Sequence, residues 1–430
     1  MNIIQIIPGS GGSFYCGNCL RDSKYVDALR KQGHQVIKIP MYLPLFSDEH
    51  DITDIPIFYG AISTYLKQVY PIFRKMPDWF EKLLDSKPMM KIAASMAGST
   101  RAKGLEDMTI SMLLGEQGEQ KEELDKMVNW IAEHCKPDVI HISNALLLGL
   151  ARRLKEKTGV PVLCSLQDED VWVDAMQPKF QQKIWDLMHE RAEDVDALVA
   201  VSNFFAETMK KLMNLRDEKI HTFYLGVDAD DYHFIPVNEK PRNIGYISRM
   251  CHENGFDIVV DAFIKLKKTP GFEDVKLFAT GGSTGDDAKF IKEQKHKIRE
   301  NNLDDSFEII DEFEDDTRHD FFKKVSLISV PVRIGEAFGM YLLESMASGV
   351  PVVQPALGAF PEIVGLSGGG VTYMPNSPEK LSETWAELLS NPEKLEKLCN
   401  DGYSGTIKHF NIHNHAAEII GLYENLRSSS

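Results

Sequence analysis

Two glutamates eight residues apart carry the first chemical signal, in the segment Glu336-Ala-Phe-Gly-Met-Tyr-Leu-Leu-Glu344. An apolar run, Val325-Ser-Leu-Ile-Ser-Val330, reads as a buried strand before them. After Gly339 the residues Tyr341, Leu342, Met346 and Ala347 follow a helical pattern. Glu336 is therefore expected in a strand-to-helix loop, and Glu344 about two turns inside the helix. Eight residues at the helical rise span roughly 12 Å, comparable to the separation of sugar and ribose in a nucleotide sugar. Between the carboxylates, at Phe338 and Gly339, a helix start offers backbone N–H groups and the positive end of a dipole, which favour a diphosphate. Two hydrogen-bonding carboxylates on either side of an anion site can hold a sugar nucleotide.

Other polar residues fall at the ends of predicted strands, where open parallel sheets bind ligands. Arg249 follows Asn243–Ile247, and a guanidinium there can fork two phosphate oxygens. His141 ends Val139–Ile142, and Gln167-Asp-Glu-Asp170 follows Val160–Ser165. Asp168 has two readings, a base that orients an acceptor or a helix cap. Pro8-Gly-Ser-Gly11-Gly12 lies between a strand and a helix starting near Asn18, where glycines let backbone approach a phosphate. A dinucleotide fingerprint fails, because its third glycine position is Phe14. Cys16 and Cys19 have redox-like spacing but no second pair; a packed loop is the competing reading. His409, His413 and His415 sit beside Asn411 and Asn414, which read as caps of the final helix. No obligatory metal or cofactor is expected.

The elements that must position these groups alternate strand and helix, the pattern of parallel α/β architecture. Strands are predicted at 3–7, 35–39, 139–142, 160–165 and 197–201, then at 243–247, 275–279, 307–310, 327–330 and 350–354. Two successive sets imply two Rossmann-like parallel-sheet domains, residues 1–235 and 241–405, followed by a helical segment at 406–430. Residues 44–134 exceed an ordinary connection and carry aromatic helical patterning, so a helical insertion is expected there. Residues 67–103 hold eight Lys or Arg against three acids. That stretch is either a solvated helical face or an acceptor- or membrane-facing surface.

Net charge is −16 over 430 residues, which argues against nucleic acid as a general partner. The chain opens on an apolar strand pattern without leader features, has no long apolar run, and scatters six cysteines. A cytoplasmic protein is expected, peripheral at the inner membrane face if residues 67–103 make a membrane contact.

The ordered set of fragments resembles the GT-B glycosyltransferases of the retaining family-4 type, over most of the chain. The resemblance rests on Pro8–Gly12, Lys31–Val36, Pro137–His141, Leu198–Ser202, Leu225–Asp228, Tyr246–Arg249 with Gly255, Ala279–Gly282, the Glu336/Glu344 block, Gly349–Val353, Gly358–Val364 and His409–Tyr423. It implies two Rossmann-like domains facing across a cleft, with the last helix crossing back to the first. It also implies a nucleotide-sugar donor (UDP-, GDP- or ADP-sugar) and a saccharide or lipid-linked saccharide acceptor. Implied roles are Glu336 at the donor sugar, Glu344 at the ribose hydroxyls, and Arg249, Gly11 and Gly12 at the diphosphate. His141, Gln167 and Asp168 fall on the acceptor and sugar side. Two positions depart from the pattern. Asn254 stands where the family has a second cation, for which Arg333 is the candidate substitute, and Gln167 stands near the usual histidine. A sugar-nucleotide epimerase or phosphorylase of the same fold, or a non-catalytic sugar-nucleotide-binding protein, are the alternative functions.

Overall fold

The computed structural model describes residues 1–8, 17–41, 102–311 and 315–429. They form two six-stranded parallel sheets, each in its own compact unit. The first unit ends at Tyr224 and takes the chain back from Ala416; the second runs from Leu225 to His415.

The first sheet comprises β1 (Asn2–Ile7), β2 (Gln35–Pro40), β3 (Val139–Ile142), β4 (Val162–Leu166), β5 (Ala197–Ala200) and β6 (Ile220–Thr222), in the order β2-β1-β3-β4-β5-β6. The second comprises β7 (Ile244–Ile247), β8 (Leu277–Thr280), β9 (Phe307–Ile309), β10 (Leu327–Ile328), β11 (Val352–Pro355) and β12 (Gly370–Tyr373), in the order β12-β11-β10-β7-β8-β9. Central strands are covered on both faces and so read as near-continuous apolar runs. Ile3, Ile4 and Ile6 are all fully buried, and each contributes about 1.5–3 kcal/mol of burial. Ten strands lie where the sequence places them, within two residues at each end. The two it missed, β6 and β12, are edge strands. Ile220-His-Thr222 and Gly370-Val-Thr-Tyr373 are only partly covered, so neither needs the apolar run that marks a central strand.

Helices Glu106–Leu114 and Lys121–His134 occupy the described end of the expected insertion. Residues 42–101, with nearly all of the basic stretch, lie outside the described residues. The final helix, Ile412–Ser429, is capped by one of the two expected asparagines: Asn411 Oδ1 accepts from the backbone N–H of His413 at 2.9 Å and of Asn414 at 3.3 Å, and Asn414 itself lies inside the helix. Among the described residues no helix is long and apolar enough to cross a membrane.

Candidate functional site

Each sheet reverses its strand order once, between β1 and β3 in the first and between β7 and β10 in the second. Loops leaving the carboxyl ends of such a pair diverge and open a crevice. Arg249, Asn254, Arg333 and Glu336 lie on the loops that leave β7 and β10, whereas in the first unit His141 lies in β3 and Gln167 and Asp168 follow its neighbour β4; each unit is described in turn.

In the second unit Arg249 leaves β7. Its Nε and a terminal nitrogen donate to the two carboxylate oxygens of Asp287 at 2.8 and 2.9 Å, and the terminal nitrogen also reaches Thr284 Oγ1 at 3.1 Å. Burial disfavours the guanidinium charge, but the bond from Asp287 outweighs it and raises the Arg249 pKa. Burial likewise opposes ionisation of Asp287, yet Arg249 and Thr284 hold that carboxyl below its ordinary range. The loop itself is braced from beneath, since the Tyr246 hydroxyl donates to the Arg249 carbonyl at 2.8 Å. Asn254 adds a second brace: its Nδ2 donates to Ser248 Oγ at 2.9 Å and to the Arg249 carbonyl at 3.3 Å. The asparagine thus fastens the Arg249 loop with its amide. Gly255 follows with φ +70°, and a Cβ there would come within 2.1 Å of the Pro331 carbonyl, so only glycine fits between the two loops.

Arg333, on the loop after β10, is committed to the same construction. Its guanidinium donates to Asp257 Oδ2 at 2.6 Å and to the His252 carbonyl at 2.9 Å. The charge is offset by a carboxylate in the first turn of helix Phe256–Lys267. Glu336 is half-buried three residues on. Its carbonyl accepts from Ala359 N at 3.0 Å, which ties the loop to the next turn. Gly339 has φ +93°, and a Cβ on it would sit 3.1 Å from Glu336 Oε2, so the Glu336 carboxylate lies over the start of helix Met340–Ala347.

Glu344 is the fifth residue of this helix, one turn inside rather than two, because the helix begins only at Met340. Its side chain is fully buried, and its Oε1 accepts from the Tyr232 hydroxyl at 3.1 Å and pairs with Arg318 Nε at 3.3 Å. A carboxylate so buried requires partners of this kind. Burial first, and the Glu344 charge second, push the Tyr232 pKa well up.

In the first unit His141 is buried, with Nδ1 at 2.6 Å from the Tyr423 hydroxyl and Nε2 at 2.8 Å from Ser165 Oγ. Tyr423 belongs to the final helix, so the imidazole anchors that helix on the first sheet. Burial, and then the nearby Arg21 charge, lower the His141 pKa to about 3. In the pH interval from 6.5 down to about 3 the unfolded chain therefore takes a proton that the folded one refuses, and stability falls as pH falls. Replacing His141 by glutamine should remove this contribution, up to about 1.4 kcal/mol per pH unit. Urea unfolding of parent and variant at pH 5 and pH 7 checks it; identical pH slopes would refute the claim.

Gln167 is buried and donates Nε2–H to the Ser143 carbonyl at 2.7 Å. Asp168 opens helix Glu169–Asp174 in a left-handed conformation, φ +57°, without a side-chain cap bond. The cap reading therefore fails for its side chain. Glu169, which the sequence reading assigned no role within Gln167–Asp170, is almost fully buried and accepts two backbone N–H groups. Burial dominates and lifts its pKa to about 8, against the pull of those bonds.

The Asp-x-Asp sequences at 194–196 and 228–230 have local work. Asp194 pairs with Arg152 and Arg191, Asp196 pairs with Lys155 and accepts from Val162 N, and Asp228 pairs with His413 at 2.9 Å. No group of three or more side chains able to hold a metal forms among the described residues. Gly11, Gly12 and the Cys16/Cys19 side chains lie outside the described residues.

A family model for Glycosyl transferases group 1 matches residues 228–404, and one for Glycosyltransferase Family 4 matches residues 121–231. A lipopolysaccharide core biosynthesis mannosyltransferase of Rhizobium meliloti is 30% identical over 43% of this chain and 51% of its own length, so the chain spans about half of that relative. An uncharacterized glycosyltransferase of Methanocaldococcus jannaschii is 27% identical over 62% of this chain and 69% of its own. Among solved structures, sucrose-phosphate synthase from Thermosynechococcus elongatus superposes with a TM-score of 0.71 at 16% identity, over all of both chains. Anabaena HepE in complex with UDP does so at 0.68 and 16%, over 99% of this chain and all of the other. These likenesses establish the GT-B fold.

Proposed function

We propose that this protein, supported as a GT-B glycosyltransferase by the two domain matches and the fold, moves a hexose from a nucleotide sugar to a saccharide or glycolipid hydroxyl with retention. The observation that carries this reading is the convergence at the β7/β10 switch point. Arg249 leaves one strand and Glu336 the other, and Glu344 lies one turn into the helix that follows. A fixed cation, a carboxylate on a helix start and a second carboxylate farther in match the diphosphate, the sugar and the ribose in turn. Neighbouring structures hold UDP and UDP-glucose; the base used here is open among UDP, GDP and ADP.

In the mechanism we favour, the bond from the anomeric carbon to the diphosphate oxygen breaks as the acceptor oxygen attacks from the same face. The departing diphosphate oxygen takes the acceptor proton. Arg249 and the helix start stabilise the charge that accumulates on the leaving group. Gln167 and Asp168 orient the acceptor. Reaction takes place in the cytoplasm, and residues 67–103 are the candidate membrane contact where the acceptor is a glycolipid.

A thermal-shift screen against UDP-, GDP- and ADP-sugars tests the donor. At a hundredfold excess over Kd the preferred donor should raise the melting temperature by about 5–10 °C. No shift with any donor would count against the reading. Glu344→Gln should raise the Kd of the matching nucleoside diphosphate about 10-fold and erase preference over its 2′-deoxy analogue, with kcat at saturation nearly unchanged. Calorimetry with both nucleotides decides this; a variant that still prefers the ribonucleotide removes Glu344 from the ribose. The amide at Asn254 favours one second reading, a protein that binds a nucleotide sugar without transfer. Binding without turnover over a broad acceptor panel would select it.

A further inference from the structure

Two loops leave the carboxyl edge of the first sheet side by side, Ser143-Asn-Ala145 after β3 and Gln167-Asp-Glu169 after β4; the two strands pair in parallel. Glu169 is 1% exposed, and its carboxyl group reaches both loops. Oε1 accepts the N–H of Ala145 at 2.8 Å, and Oε2 accepts that of Gln167 at 2.7 Å. The Gln167 amide adds a third tie, 2.7 Å to the Ser143 carbonyl.

Between the two residues of the tether sits Asp168, whose φ of +57° is uncommon for a residue with a Cβ and persists where its surroundings hold it. Two oxygens at the same edge, Gln167 Oε1 and Ser143 Oγ, are buried without a hydrogen-bond partner. Buried polar atoms of this kind call for an explanation, and a ligand rich in hydroxyl groups supplies one. Among the described residues Glu169 has no ion pair with Lys or Arg. A carboxyl group taken out of water and given two backbone N–H groups from different loops acts as a staple between them.

We propose that Glu169 is a positioning residue, fixing the β3 and β4 loops so that Gln167 and Asp168 are held in register for the acceptor hydroxyls. This rests on the glycosyl-transfer reading above. Glu169 touches no reacting atom itself; it acts through Gln167 and Asp168.

The test uses the full chain with Glu169→Gln and Glu169→Asp. Glutamine keeps one accepting oxygen and turns an N–H group toward the other backbone donor, whereas aspartate keeps the carboxyl group one methylene short. Amide hydrogen exchange reads the staple directly: Ala145 and Gln167 N–H should lose protection by about 10-fold. Transfer with the best donor and acceptor reads the consequence. Here kcat should fall about 100-fold, as expected for reacting groups displaced by about 1 Å. The Kd of the nucleoside diphosphate should stay within twofold, since that ligand belongs to the second unit. If Glu169→Gln fails to fold, Glu169→Asp carries the same readings. Parental exchange together with parental kcat overturns the proposal, and so does a kcat loss matched by an equal loss of nucleotide affinity. Should the parent transfer no sugar to any acceptor, the functional reading falls. The staple is then judged by exchange alone: lost protection upholds it and unchanged protection overturns it.

Discussion

Arg249→Ala is expected to lower kcat about 1000-fold while weakening nucleoside diphosphate binding only about 10-fold. The reason is where the charge appears. Before reaction the diphosphate charge is shared with the sugar ester, and in the transition state it concentrates on the leaving oxygen. A preorganised donor aimed at that position costs no reorganisation when the bond breaks, and removing one such donor typically costs 10²–10³ in kcat. Arg249 is preorganised by Asp287, which takes two of its N–H bonds, and by a loop fastened through Tyr246 and Asn254. The single variant has a side effect that must be removed. Asp287 has a side-chain exposure of 7% and would be left charged without its partner, at a cost of about 3 kcal/mol or less. The double variant Arg249→Ala/Asp287→Asn takes away that orphan. It should regain the parent's melting temperature but not its kcat. Arg249→Lys should fall between, because an ammonium cannot fork Asp287 and steady a phosphate with one planar group. A folded double variant with kcat within threefold of the parent would remove Arg249 from the leaving-group site.

The architecture was legible because a parallel sheet covered on both faces writes itself into sequence. Ile3, Ile4 and Ile6, or Val352 and Val353, must all be apolar at once, and a near-continuous apolar run is easy to see. Strands β6 and β12 escaped because an edge strand answers to only one neighbour and can keep His221 or Thr372 half in water. The helix begins at Met340 rather than at Phe338 or Gly339, since Gly339 at φ +93° delays the first helical residue. Glu344 is then the fifth helical residue, about one turn inside.

The candidate site was legible where its residues follow a strand on one continuous segment and obscure where they depend on a distant partner. Arg249, Glu336 and Glu344 follow strands and could be read directly. Asp287 lies 38 residues from Arg249, and Tyr232 lies 112 residues from Glu344, so no local pattern links them. One signal did exist: Thr284-Gly-Asp-Asp287 has capping-box spacing, which fixes the carboxylate that then receives Arg249. Arg333 shows the same dependence: its position suggested a spare cation, and Asp257 holds it much as Asp287 holds Arg249. Glu169 was hidden by company, since an acidic Asp-Glu-Asp run reads as a solvated surface until burial is known.

Glu336→Gln is expected to lose transfer by 10²- to 10³-fold in kcat and to leave nucleoside diphosphate binding within threefold of the parent. Glutamine preserves the shape of the side chain and one accepting oxygen, so what is removed is the charge. As the anomeric bond breaks, positive charge grows on the sugar. A carboxylate about 4 Å away contributes about 4 kcal/mol at the effective dielectric of a partly exposed site. At 1.36 kcal/mol per tenfold in rate, that is up to about 10³. The ground-state donor carries no such positive charge, so the loss falls on kcat. The loop should tolerate the change, because its geometry is set by backbone contacts, with the Glu336 carbonyl held by Ala359 N and Gly335 packed on Gly358. Glu344→Gln should give the reverse pattern, a weakened nucleotide with kcat preserved. Single-turnover transfer together with calorimetry separates the two. The configuration of the product reports retention in the same assay. If both variants transfer sugar at the parental rate with parental affinity, the two carboxylates do not hold a donor and the switch-point reading is wrong.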